Sequence, residues 1–216
     1  MKAISLLALP SLALGALQGF DISNWQPSVD YQAAYDSGAR FVMIKATEST
    51  NYVDTVFNTH YTGATEAGLI RGGYHFARPD DSSGAEQAKY FLKHGGGWTS
   101  DGITLPGMID LEAGCYGLSA SEMVSWIKDF GETYKDEVGR YPMIYTSTSW
   151  WTSCTGNDDG FGDYPLVVAR WASSVGTLPA GWDEQTSWQY SDSYEYGGDA
   201  QYWNGDEDDL VAFATN

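Results

Sequence analysis

Short apolar blocks and amphipathic stretches alternate from residue 19 to residue 151, which predicts strands separated by helices. GFDISNW (19–25) is the first strand. A short helix over about 28–37 follows, with Ser28 placed to cap its start and Gly38 near its end. FVMIKATES (41–49) is apolar without alternation and turns polar at its end, as expected of a strand buried on both faces whose C-terminal end meets solvent. A helix around 51–67 sets Val53, Phe57 and Ala64 on one side. LIRGGYHFARP (69–79) is the third strand, closed by proline, and LPGMIDLE (105–112) the fourth. Between them Ser83 and Glu86 form a capping-box pair for a helix to about 94. Ser119 and Glu122 repeat that pair before the clearest helix, in which Met123, Ile127, Phe130 and Tyr134 recur at helical spacing up to Gly139. YPMIYTSTSWW (141–151) is the fifth strand, with only a weak helix after it.

The pattern then changes. YPLVVARWAS (164–173), SWQYSD (187–192) and DLVAF (209–213) read as strands, separated by loops of Gly, Asp, Ser and Trp. Strands alternating with helices imply an α/β fold with a parallel sheet. Eight strands in one domain predict a single distorted β/α barrel: about five β/α units, then three further strands, with the active site at the C-terminal strand ends.

Composition narrows the class. The formal net charge is −18, with 29 acids against 11 bases, so nucleic acid is excluded as a partner. Nine Trp and 15 Tyr exceed what a core needs and suit a groove that stacks on sugars. Residues 1–17, MKAISLLALPSLALGAL, have the basic start, apolar stretch and small residues of a secretory leader, and are too short to span a membrane. The expectation is a secreted, extracellular protein with one catalytic domain over 18–216, no membrane association, and a monomeric state. In an oxidising compartment Cys115 and Cys154 are expected to pair. Two cysteines without neighbouring histidines make a poor metal site, and no phosphate-loop or nucleophile-elbow spacing occurs, so no metal or cofactor is expected.

The acids fall where chemistry is expected. Asp21 lies in the first strand, Glu48 ends the second, Asp110 and Glu112 end the fourth, and Asp209 opens the last. Side chains at i and i+2 of a strand point the same way, roughly 6.6 Å apart along it. Asp110 and Glu112 therefore both face the barrel mouth, where each raises the other's pKa and burial adds to the effect. One carboxyl is then kept as an acid while the other stays charged, the division that glycoside hydrolysis needs. Tyr74, Tyr145, Trp171, Trp188 and Tyr190 are the expected substrate-stacking residues. Lys45 is placed either to pair with a site carboxylate or in a structural ion pair. Trp126 reads as helix packing, His75 as a structural histidine, and His60 and His94 as surface residues.

GFDISNWQ, IKATES, GGYHFARP, MIDLE, IYTSTSWW, ARWAS, SWQYS and DLVAF, in this order, resemble the glycoside hydrolase family 25 lysozymes, the Chalaropsis-type muramidases, over essentially all of 18–216. The resemblance implies cleavage of the β-1,4 bond between N-acetylmuramic acid and N-acetylglucosamine in bacterial peptidoglycan. It maps the acid/base carboxylate onto Glu112, its partner onto Asp110, and the two further site aspartates onto Asp21 and Asp209. Retention with help from the substrate's acetamido group is the expected course, a direct Asp nucleophile the competing one. Two alternatives remain open. Chitinases share the barrel but carry a longer acidic run, where this chain has Gly107 and Met108. A non-catalytic carbohydrate binder on the same barrel would typically have lost a carboxylate. Activity is expected to peak on the acid side, where the catalytic acid holds its proton and repulsion from an anionic wall falls.

Overall fold

The computed structural model describes residues 17–216; apart from Leu17, the expected leader lies outside the described residues. Nine strands form one sheet: β1 (Leu17–Ile22), β2 (Ala39–Glu48), β3 (Tyr52–Val53), β4 (Ile70–Phe76), β5 (Met108–Leu111), β6 (Met143–Thr146), β7 (Leu166–Ala169), β8 (Ser187–Ser191) and β9 (Asp199–Trp203). Eight close into a barrel in the order β1-β9-β8-β7-β6-β5-β4-β2, with β1 also paired to β2, while the short β3 hangs on the edge of β2. Every barrel pairing is parallel except the two made by β9. Among the described residues six α-helices accompany the sheet: α1 (Tyr31–Asp36), α2 (Phe57–Glu66), α3 (Gly84–Phe91), α4 (Ala120–Val138), α5 (Thr148–Thr155) and α6 (Glu207–Thr215). Five β/α units followed by three strands is thus the observed order, but two expected elements change identity.

The segment 141–151 is a strand only to Thr146. Ser147 then caps α5, its hydroxyl accepting from the Trp150 amide, and Gly156 ends the helix in the left-handed region. The stretch DLVAF is not the eighth barrel strand but part of α6. Asp206 and Asp209 form a reciprocal capping box there, and acids at Glu207, Asp208 and Asp209 favour the positive end of the helix. The last strand is instead β9, entered through Gly197 and Gly198, both at positive φ. A side chain at Gly198 would collide with the Asp21 carbonyl, so glycine is what lets β9 close against β1.

Smaller shifts follow the same local logic. Asp30, not Ser28, caps α1, accepting from the Ala33 amide. The start of the expected 51–67 helix is β3, and α2 begins at Phe57. The helix α3 runs on into a π-helical turn, Leu92–Gly96. Both predicted capping boxes, at Ser83/Glu86 and Ser119/Glu122, are formed.

Two apolar cores hold the barrel. The larger lies between strands and helices, around Phe20, Val42, Ile44, Phe91, Phe130 and Trp151. The smaller fills the barrel interior with Phe41, Met43, Ile70, Met108, Met143 and Trp203, and Leu210 and Ala214 of α6 seal it from below. Trp98 Nε1 donates to the Ala214 carbonyl and Arg140 to that of Phe213, fixing α6 at that end. Cys115, after β5, is disulfide-bonded to Cys154 on α5. His75 is buried, as read: Thr47 Oγ1 lies 2.7 Å from its Nδ1 and Gln87 Oε1 2.9 Å from its Nε2. His60 is not a surface residue; α2 turns it inward, where Nδ1 meets the Tyr31 hydroxyl at 2.6 Å.

Candidate active site

Above the interior core the barrel lining turns from apolar to acidic. Strand register puts Asp21 of β1 directly opposite Asp199 of β9. Asp110 of β5 lies beside Phe76 of β4 and Tyr145 of β6. Glu112 stands one residue beyond β5, at the mouth. Asp21, Tyr74, Asp110, Glu112 and Asp199 line one cleft of about 530 Å³, together with Lys45, Phe76 and Trp25. Its floor, between Met108, Tyr145 and Gln189, is a deeper recess lined by the same four carboxylates.

Two glutamines order this cluster, and the sequence alone did not single them out. Gln189 Nε2 donates to Asp21 Oδ2 at 2.9 Å and to Asp199 Oδ2 at 3.1 Å. Its Oε1 accepts from the Tyr145 hydroxyl at 2.9 Å and from Trp171 Nε1 at 3.1 Å. Gln201 donates to the same Asp21 oxygen, and its own Oε1 is held by Ser187 Oγ. Tyr145 also lies 3.4 Å from Glu112 Oε2. The missed signal was periodic: Ser187 and Gln189, then Asp199, Gln201 and Trp203, occupy alternate positions of two strands and so share the inward face.

Asp110 differs from its neighbours. It is buried, and its Oδ1 has no hydrogen-bond partner. Burial, then the charges of Glu112 and Asp21, hold its pKa well above the carboxylate range. Burial and the facing Asp199 push Asp21 up to about 7 despite the two glutamine donors. Burial, Asp192 and Glu112 raise Asp199 to about 6. Glu112 is raised by loss of solvent around its carboxyl, opposed by the Tyr145 hydrogen bond and the Lys45 charge. The cluster therefore holds protons near neutrality, as acid catalysis requires.

Lys45 lies in the cleft wall over the Phe76 ring and pairs with Glu48 at 2.6 Å. Glu48 also binds Arg78, so it is an ion-pair bridge with a lowered pKa rather than a member of the acid cluster.

Three sequence-derived placements change. Asp209 sits on α6, beneath the barrel, with its carboxylate on the Asp206 amide; the fourth carboxylate of the cleft is Asp199. Trp188 and Tyr190 flank the inward Gln189 on β8 and so point outward, where they pack with Tyr202 on the outer barrel wall. Tyr74, Tyr145 and Trp171 do line the site. Two indoles stand at its rim, Trp25 at 84% and Trp171 at 61% exposure, as in a stacking groove open at both ends.

A family model described as glycosyl hydrolases family 25 matches residues 20–199. An N,O-diacetylmuramidase of Arthroderma benhamiae is 60% identical over 206 residues, covering 93% of this chain and 87% of the relative. An N,O-diacetylmuramidase of Chalaropsis sp is 56% identical over 209 residues, covering 92% and 99%. The solved structure of a muramidase from Trichobolus zukalii superposes with a TM-score of 0.92 at 61% identity, covering 93% of this chain and 99% of that one.

Proposed function

The chain belongs to glycosyl hydrolase family 25, and from that premise we propose that it is a secreted lysozyme, cutting the β-1,4 bond between N-acetylmuramic acid and N-acetylglucosamine in bacterial peptidoglycan. The names of the two relatives extend the proposal to O-acetylated muramic acid. The observation that carries the mechanism is the pair at the end of β5: a solvent-facing carboxyl whose pKa is raised by loss of solvent, Glu112, and two residues before it a buried carboxyl with an unpartnered oxygen, Asp110.

Glu112 protonates the bridging oxygen, and the C1–O bond breaks as the acetamido oxygen of the muramic acid closes on C1. The acetamido N–H then becomes acidic and donates to Asp110 Oδ1, the acceptor without a protein donor. Water then attacks C1 from the side the leaving sugar vacated and gives its proton to Glu112 as the C1–O bond to the acetamido oxygen breaks, restoring the acetamido group, so the sugar keeps its configuration. Asp21 and Asp199, tied together by Gln189, lie beneath the oxocarbenium-like centre, where developing positive charge favours release of the protons that burial makes them keep.

The test is a digest of purified peptidoglycan and of chitin by wild type and Glu112→Gln, with reducing ends identified by mass spectrometry and the anomer followed by NMR. New muramic acid ends of retained configuration, absent with the variant, are expected. Chitin cleavage alone would make the protein a chitinase-like glycosidase, binding without cleavage a lectin, and a trapped sugar–Asp adduct would replace acetamido assistance with a direct nucleophile.

A further inference from the structure

The catalytic cleft does not end at Glu112. Glu112 also borders a second depression, lined by Tyr145, Ser147, Ala169, Arg170 and Trp171, from which Asp21, Asp110 and Asp199 are absent. Ser147, Ala169 and Arg170 in turn border a third, about 930 Å³ in extent, between α5 and the 170–177 loop. The three form one continuous path from the acid cluster, past Glu112 and Trp171, onto the flank of α5.

This path has a direction. The sugar being attacked sits with the acid cluster, and the proton donor faces the leaving sugar. The second depression, on the far side of Glu112, is therefore the place of the leaving N-acetylglucosamine. The next sugar along is again a muramic acid, and its lactyl group carries a peptide that bears free carboxylates. The third depression lies where that peptide would emerge.

Its lining suits such an occupant. Hydroxyls of Ser149, Thr152, Ser153 and Thr177 stand in its wall and can face amide groups. Arg170 is the distinctive member. Acids outnumber bases 29 to 11 in this protein, yet no carboxylate lies within ion-pair distance of Arg170 among the described residues. Arg40 and Arg78 pair with Glu207 and Glu48, while Arg71 and Arg140 are taken up by backbone carbonyls. Arg170 makes one marginal contact, Nη1 to the Val175 carbonyl at 3.4 Å. The guanidinium is exposed and lies against the 170–177 loop, in the space that a side chain at Gly176 would fill. A guanidinium without a counter-ion, at the edge of a groove of an acidic protein, is free to pair with a carboxylate from outside the chain.

We propose that the groove between α5 and the 170–177 loop binds the stem peptide of the muramic acid on the leaving-group side, with Arg170 on a peptide carboxylate. The proposal rests on the muramidase reading, and the enzyme would thereby read the peptide as well as the glycan.

The experiment compares kcat/KM on peptide-bearing glycan strands with kcat/KM on the same strands stripped of peptide by an amidase, for wild type, Arg170→Lys and Arg170→Gln. The ratio of the two constants is the readout, so a general loss from misfolding cancels. The ratio is expected to fall about two- to fivefold in Arg170→Gln, less in Arg170→Lys, and in wild type to decline with added salt, as for a partly exposed ion pair. A ratio unchanged by Arg170→Gln overturns the proposal while leaving the muramidase reading intact. A wild type that cuts neither kind of strand overturns the muramidase reading, and this proposal falls with it.

Discussion

Replacing Asp21 by Asn should make the protein more stable at neutral pH while removing most of its activity. Asp21 is held at a pKa of about 7, against an ordinary 3.8, chiefly by burial and by Asp199 opposite. In the unfolded chain the group releases its proton near 3.8; in the folded protein it keeps it to about 7. Between those values the native state binds more protons than the unfolded state, so stability falls as pH rises through the window. Complete ionisation forfeits about 4 kcal/mol, and solvent reaching the open cleft reduces that to about 2–4 kcal/mol. Asparagine keeps an oxygen to accept from Gln189 and Gln201 but cannot ionise. Asp21→Asn should therefore melt within a degree or two of wild type at pH 4, and about 5–10 °C higher at pH 8. Differential scanning calorimetry of both proteins across that range is the assay. A difference independent of pH, or a variant less stable than wild type at pH 8, would refute the claim that the cleft stores electrostatic strain.

Asp199→Asn should cost activity on peptidoglycan by about a hundredfold or more, as removal of a charge facing the reacting centre does. Asp209→Asn should leave turnover unchanged and cost about 1 kcal/mol through its capping box; equal losses from the two would return the fourth site carboxylate to α6. Lys45 lowers the pKa of Glu112 and Asp110, so Lys45→Met should move the alkaline limb of an acid-side pH–rate profile to higher pH, and a shift the other way would contradict the electrostatics. Replacing Cys115 and Cys154 together by Ser opens a link of sequence separation 39, and chain entropy puts the loss at about 4 kcal/mol, visible in the urea midpoint; an unchanged midpoint would mean that the unfolded chain is already constrained.

What the sequence made legible was what local chemistry decides. The long helix α4 follows from its apolar spacing and its Ser119/Glu122 box. β2 is a continuous apolar run because both its faces are covered. Asp110 and Glu112 were found because i, i+2 spacing fixes a shared face wherever the strand goes. The errors fall on short segments whose state depends on distant partners. Leu210, Val211 and Phe213 are as compatible with a strand as with a helix; the Asp206 box and the open floor of the barrel decide it. Asp199–Trp203 interleaves Asp199 and Gln201 with Ala200 and Tyr202, because a barrel wall carries polar residues where it lines a site, and so it showed no continuous apolar run.

That missed strand explains the misplaced aspartate. In a parallel barrel every strand runs toward the catalytic mouth, so site residues are sought at strand C-termini. β9 runs the other way. Its C-terminal Trp203 reaches the interior core and leads to α6 below, while its first residue, Asp199, arrives at the mouth opposite Asp21. Reversal of one strand therefore brings a loop-proximal acid to the centre, at the end where Gly197 and Gly198 make the approach to β1 possible. A bulkier residue at Gly198 should part β9 from β1 and separate Asp199 from Asp21, so the reversed strand and the glycine at its entry belong to the acid cluster as much as the carboxylates themselves do.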